Sequence, residues 1–232
     1  MHEQFGYTYD ASGNLNYRTN NALIQTFNAN NLNELSTVTR SGTLTVAGTT
    51  TSPATNVTVN MFNAVLYADF SFASPNQSLV DGLNTFMAVA KNSQGRQVSN
   101  SLSVYLPATV SYQYDANGNM LSDGMRCFAY DDENQMTSVW VTNAWRSDFV
   151  YDGRMRRRIR REYTWLNSTW TQTNEVHYVY DGNLVIQERD TNNQPRVTYT
   201  RGNDLSGSLQ GVGGIGGLLA RMDATGSPVS SL

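Results

Sequence analysis

The amino-acid sequence predicts an all-β chain, made of antiparallel β-hairpins in series and interrupted by a small β-sandwich. Three observations carry that prediction. A motif of the form aromatic-x-Tyr-Asp occurs five times, followed each time by turn residues. Charged residues make up only 15% of the 232, against about 25% in an ordinary soluble domain. Asn, Thr, Ser and Gly supply the polarity instead, a mix suited to short strands and tight turns. Between Arg40 and Pro107 the motif stops and short alternating runs replace it.

The copies are Tyr7-Thr-Tyr9-Asp10, Tyr112-Gln-Tyr114-Asp115, Phe128-Ala-Tyr130-Asp131, Phe149-Val-Tyr151-Asp152 and Tyr178-Val-Tyr180-Asp181. Thirteen Tyr and thirteen Asp in 232 residues give fewer than one Tyr-Asp pair by chance. Residues i and i+2 of a strand share a face, so each copy aligns two aromatic rings. The Asp then ends the strand, its carboxylate accepting from backbone N–H groups two residues on. Turn residues follow, with Gly13, Gly118, Gly153 or Gly182 among them, and an apolar residue opens the return strand: Leu15, Met120, Met136, Met155, Leu184. On this reading the loops of the last two copies are two residues shorter, which preserves side-chain parity. Phe27 to Asn31 and Tyr199-Thr200 read as degenerate copies. The irregular spacing fits a sheet grown hairpin by hairpin better than a strict solenoid.

In the interruption, Thr43-Leu-Thr-Val, Asn56-Val-Thr-Val, Ala64-Val-Leu-Tyr, Phe70-Ser-Phe, Asn84 to Ala90 and Leu102 to Leu106 read as six short strands. That density suggests a sandwich. The expected organisation is a repeat segment over 1–40, an inserted sandwich over 41–109, and a repeat segment over 110–232 that continues the first sheet. The ends of the insert must then lie close together.

The motif resembles the YD-repeat, or RHS-repeat, family of bacterial wall-associated and toxin proteins and animal teneurins. Tyr112 to Leu121, Phe128 to Val139 and Tyr151 to Arg157 carry the resemblance. Tyr178 to Ala220 is similar to the conserved RHS core, and the likeness covers residues 1–40 and 110–232. Within the interruption, Gly82 to Gly95 resembles bacterial Ig-like accessory domains of the glucodextranase-B type. The family resemblance implies strands spiralling into a hollow β-shell, which in toxin members encloses a C-terminal effector. It also implies a secreted or cell-surface location.

Other features bound the function. The net charge of −3 argues against wholesale nucleic-acid binding, which needs a basic face. Cys127 is the only cysteine, so no intrachain disulfide forms. No apolar run is long enough for a membrane-spanning helix. The opening Met-His-Glu-Gln is not patterned as a signal peptide, so the protein leaves the cell by another route or this is a piece of a longer chain.

Gly211-Val-Gly-Gly-Ile-Gly216 matches G-x-G-x-x-G, but a dinucleotide site needs a strand–helix context and a later acid. No cofactor is expected. Arg154, Arg156, Arg157, Arg158, Arg160 and Arg161 form either a polyanion site or partners of the repeat aspartates. On a strand Arg154, Arg156, Arg158 and Arg160 would share one face. Asp115-Ala-Asn117-Gly118-Asn119 departs from a calcium loop, with Gly at position four and Arg126 at twelve. His2 and His177 have no second ligand set for zinc, and no G-x-S-x-G elbow accompanies them. Trp140, Trp145, Trp165 and Trp170 either fill the sheet's inner face or form a surface that stacks on sugars.

These features point to a non-enzymatic structural part of a β-shell that encapsulates or presents a C-terminal effector. Its partners would be that effector or flanking repeats of a longer chain, with self-association of the isolated chain. The alternative is a module binding glycans or cell-surface proteins. A third reading, a core that cuts itself through acidic residues near its end, finds no matching residues in this chain.

Overall fold

A computed structural model describes residues 3–224. All regular structure in those residues is strand or isolated turn, with no helix among them. The chain divides into two compact units, 1–113 and 114–232.

The first unit contains β1 (Phe5–Tyr9), β2 (Leu15–Asn20), β3 (Leu23–Ala29), β4 (Leu35–Gly42), β5 (Leu44–Thr49), β6 (Asn56–Val59), β7 (Phe62–Asn63), β8 (Val65–Leu66), β9 (Ser71–Gln77), β10 (Gly82–Lys91), β11 (Gln97–Leu106) and β12 (Thr109–Ser111). The first four strands form an antiparallel meander that β12 completes, in the order β1-β2-β3-β4-β12. Thr39 pairs with Thr109 and Val38 with Val110. The Arg40 N–H donates to the Ala108 carbonyl at 2.9 Å, so the chain leaves this sheet and returns beside the same strand.

Strands β5 to β11 make two further sheets, β11-β10-β6-β7 and β5-β9-β8. They pack face to face. Val57 and Val59 of β6 and Phe86 of β10 meet Phe72 of β9 in a single buried cluster, with Leu44, Val46, Leu66 and Val104 against it. The Arg40 guanidinium donates to the carbonyls of Pro107, Leu106 and Val80, which ties the base of this sandwich to the meander.

The second unit contains β13 (Gln113–Tyr114), β14 (Met120–Ser122), β15 (Cys127–Tyr130), β16 (Met136–Val141), β17 (Trp145–Tyr151), β18 (Arg157–Leu166), β19 (Thr169–Asp181), β20 (Leu184–Arg189), β21 (Pro195–Arg201) and β22 (Leu218–Asp223). They form one ten-stranded antiparallel sheet in sequence order. Sequential order keeps every pairing local, the topology that serial hairpins produce.

Two sequence expectations are corrected here. The Asp152 hairpin is no shorter than its predecessors, because Tyr151 pairs with Arg157 just as Tyr130 pairs with Met136 and Tyr9 with Leu15. Met155 therefore opens no strand. It sits in the turn with φ of 61° and is 66% exposed. Only the fifth copy is short. There Asp181 is the last residue of β19 and pairs with Leu184 across a two-residue turn.

Candidate functional site

The repeat residues build one recurrent device. Seven turns among the described residues share the same hydrogen bonds, beginning at Asp10, Asn30, Asn92, Asp115, Asp131, Asp152 and Asp190. In each, the first residue's N–H donates to the carbonyl four residues on, and its own carbonyl accepts from the N–H three residues on. Its side-chain Oδ1 accepts from the N–H groups of the second and fourth following residues at 2.8–3.1 Å. One side-chain oxygen thus satisfies two donors that the ladder leaves unpaired. The residue three positions on always has a positive φ: Gly13, Asn33, Gly95, Gly118, Asn134, Met155 and Asn193. Gly and Asn tolerate that conformation, and Met155 is the exception.

These bonds stabilise the carboxylates. Asn14 and Asn119 side-chain amides hold Asp10 and Asp115 below the ordinary Asp range. Arg156 does the same for Asp152, most strongly of the set, and the Gln194 N–H does so for Asp190. Neighbouring turns also bond to each other. Asn14 donates to Asn33 Oδ1, Asn117 and Asn119 donate to Asn134 Oδ1, and Arg156 donates to the Gly182 carbonyl. The loop Asp115 to Asn119 is one of these turns, its oxygens engaged by backbone and Asn donors.

The register places the repeat aromatics together. Directly opposed residues of an antiparallel pair point the same way. Following the pairs from strand to strand puts Phe128, Tyr130, Phe149, Tyr151, Tyr178, Tyr180 and Tyr199 on one face of the ten-stranded sheet. In the meander, Phe5, Tyr7, Tyr9 and Phe27 likewise share a face. Tyr178 is the most buried of these rings, at 4% exposure. The Arg157 guanidinium lies over both Phe149 and Tyr178, 5.3 and 4.9 Å from the ring centroids, and Arg156 lies 5.0 Å over Tyr180.

The second position of the motif is always Tyr, and the geometry gives a reason. The Tyr151 hydroxyl donates to the Met136 carbonyl and the Tyr180 hydroxyl to the Arg157 carbonyl, both at 2.8 Å. Met136 and Arg157 are the first residues of the preceding return strands. Each of these hydroxyls therefore satisfies a backbone acceptor at the bulge where the previous hairpin resumes pairing. Burial raises the pKa of Tyr130, Tyr151 and Tyr180, keeping each phenol in its donating form. At the first position the Tyr178 hydroxyl has only a 3.5 Å contact with Arg157 Nη2, so a Phe there forgoes little.

The arginine run divides differently from its sequence pattern. Arg156 belongs to the Asp152 turn, with Arg158 Nη1 3.6 Å from the same carboxylate. Arg160 pairs with Glu162, and Arg161 with Glu175, at 2.8 Å each. The expected face of Arg154, Arg156, Arg158 and Arg160 is lost because the turn runs to Arg156 and a bulge separates Arg157 from Ile159.

The opposite face carries the tryptophans. Register places Trp140, Arg146, Tyr163, Trp165 and Trp170 together there. Trp165 and Trp170 meet edge to face at 4.9 Å. Arg146 lies 4.4 Å over Tyr163 and 5.6 Å over Trp170, with its Nη2 on Asp148. Trp145 pairs with Thr164 and points to the other face, so only three of the four tryptophans form a surface. Along the same face His177 Nε2 lies 2.6 Å from Glu175, and its hydrogen bond, with that of Arg161, lowers the Glu175 pKa. His2 lies outside the described residues.

The glycine-rich stretch folds around an acid that sequence reasoning passed over. Asp204, 6% exposed, accepts from the Ser206 hydroxyl and N–H and from the N–H groups of Val212 and Gly214. These donors hold its pKa down to about 2, with Ser206 foremost. Gly213 and Gly214 take φ of 72° and 76° to turn those amides inward. The backbone donors that would cradle a phosphate are thus turned onto the chain's own carboxylate. Gln210 reaches from this loop to the Asn183 N–H and the Asp181 carbonyl, seating it on the β19–β20 turn.

No protein-family model matches the chain, and no curated protein matches it. Among solved structures, a chain of the Photorhabdus luminescens Tc holotoxin pore, in a TccC3 mutant form, aligns at 11% identity and a TM-score of 0.26. That alignment covers 97% of this chain and 13% of that one. The TcdB2–TccC3–TEV crystal structure aligns at 12% identity and a TM-score of 0.25, over 98% and 13%. Likeness at this level assigns neither family nor function to this chain.

Proposed function

We propose that this chain is a non-enzymatic structural segment of a YD-repeat β-shell, and that in a longer protein it encapsulates or presents a C-terminal effector. One observation carries the reading: the residues that define the repeat are used up in holding the sheet. The turn aspartates accept backbone donors, the Tyr151 and Tyr180 hydroxyls donate to backbone carbonyls, and Arg157 stacks on repeat rings. In each of these turn acids Oδ1 is spent on two backbone donors.

The test combines stability with chemistry. Asp131→Ala and Tyr180→Phe should lower the unfolding midpoint of the 114–224 unit. The wild-type chain, incubated and weighed by intact-mass spectrometry, should keep its full mass. Self-cleavage products would overturn the non-enzymatic part of the reading.

A second reading rests on Trp140, Trp165 and Trp170 sharing a face with Arg146 and Tyr163. Such a surface would stack on sugar rings. A glycan array decides between them: saturable binding abolished by Trp165→Ala would favour a carbohydrate-binding module over a scaffold alone.

A further inference from the structure

The sandwich of the first unit is open on one side. Its smaller sheet ends at β5, which pairs with β9 and, among the described residues, has no strand on its other side. Its larger sheet ends at β11, paired only with β10. Register makes Leu102 opposite Phe86 and Val98 opposite Ala90, so both point to the inner face. Phe86 is buried, yet Leu102 is 66% exposed and Val98 75%. Nothing from the smaller sheet covers them. A cleft of about 660 Å³ lies there, lined by Val46, Gly48, Phe86, Ala88, Val98 and Leu102 among others.

The opening thus has an apolar wall on one side and a free strand edge on the other. An edge presents a row of backbone donors and acceptors that a further strand can pair. The charges select further. Lys91 and Arg96 line the cleft and no carboxylate does. The sandwich's own acids, Asp69 and Asp81, lie outside the lining. Neither Lys91 nor Arg96 forms an ion pair with a described residue.

We propose that the cleft between β5 and β11 receives an extended segment of a partner protein. That segment adds to the β5 edge, places alternate apolar side chains on Val98 and Leu102, and sets a carboxylate near Lys91 and Arg96. A six-residue partner strand spans roughly 20 Å, matching the six residues of β5. The inference stands apart from the shell reading, since no repeat residue lines the cleft.

The test uses the full chain and the peptide acetyl-Thr-Val-Thr-Val-Thr-Val-Glu-amide. Isothermal calorimetry should show saturable binding, and amide hydrogen exchange should show new protection confined to β5, at Ala47 and Thr49, whose N–H groups point away from β9. Replacing the peptide's Glu by Gln, or Arg96→Gln in the protein, should weaken binding about three- to fivefold, the scale of an exposed ion pair. Leu102→Glu should abolish it while leaving the unfolding midpoint unchanged, since that side chain is mostly exposed. The proposal is overturned by the absence of saturable binding at about 1 mM peptide, the weak end of specific association. It is also overturned if protection appears at other edges instead. Protection of β5 without peptide, rising with protein concentration, would assign the cleft to a second copy and overturn the proposal as well.

Discussion

The two tyrosines of one motif should respond unequally to loss of the hydroxyl. Tyr178 is 4% exposed, with Arg157 over its ring. Its hydroxyl has only a 3.5 Å contact from Arg157, at the limit of a hydrogen bond. Tyr178→Phe should therefore cost less than about 0.5 kcal/mol. Tyr178→Ala removes a buried ring and should cost about 3–5 kcal/mol, which in a unit of this size lowers Tm by roughly 12–25 °C. Tyr180 is different, because its hydroxyl donates to the Arg157 carbonyl at 2.8 Å. Tyr180→Phe should cost about 0.5–1.5 kcal/mol. All four tryptophans lie between 140 and 170, so tryptophan fluorescence during urea unfolding reports on the ten-stranded unit. Equal costs for the two Phe variants, or a Tyr178→Ala cost below about 1 kcal/mol, would refute the register on which the argument rests.

Met155 takes a positive φ that Gly adopts without strain, so Met155→Gly should raise stability by up to about 1 kcal/mol, read as a higher urea midpoint. The turn carboxylates of Asp10, Asp115, Asp152 and Asp190 have depressed pKa values in the folded chain. Their contribution is complete above the unfolded Asp pKa of about 4 and is lost as pH falls through the folded values. Unfolding midpoints should thus be flat from about pH 5 to 7 and decline below that, a trend checked by denaturation across the range. Replacing Ser41–Ala108 by a short Gly/Asn turn should leave the meander paired, since Arg40 and Ala108 already bond across the junction; loss of cooperative unfolding would contradict this. The edge strand β1 leaves Tyr9 63% exposed, and with few charges guarding the edges the isolated chain should self-associate. A 25.8 kDa monomer at high concentration in light scattering would count against it.

The hairpins, their antiparallel order and the shared aromatic face could be read from spacing alone, because a two-residue strand period leaves no freedom in which way i and i+2 point. The turns could be read only in part. Asn30, in the degenerate copy Phe27 to Asn31, makes the expected turn; Asn92 and Asp190 make it too, but no Tyr-Asp pair precedes them, and the usable signal was a Gly or Asn three residues on. Met155 misled because an apolar residue after Gly153 looks like a strand start, whereas the backbone and carboxylate of Asp152 bond to Arg156 and so carry the turn two residues further. Trp145 lies on the opposite face from Trp140 because Val141 pairs with Trp145 across the turn, whereas the arginine run lost its shared face because a bulge adds one residue and reverses parity. Arg40 was invisible because its partners are backbone carbonyls brought close only by the fold, and Asp204 because the N–H groups of Val212 and Gly214 reach it only when the glycine-rich loop closes.

The central claim is that repeat residues act through the turn and sheet geometry. Asp131, Asp152 and Asp181 share one motif but not one role: the first two close turns, and Asp181 lies within a strand pair. Urea unfolding followed by tryptophan fluorescence on Asp131→Ala, Asp152→Ala and Asp181→Ala tests this directly. The account predicts lower midpoints for the first two and little change for the third. Equal effects at all three positions, or none at Asp131 and Asp152, would contradict it.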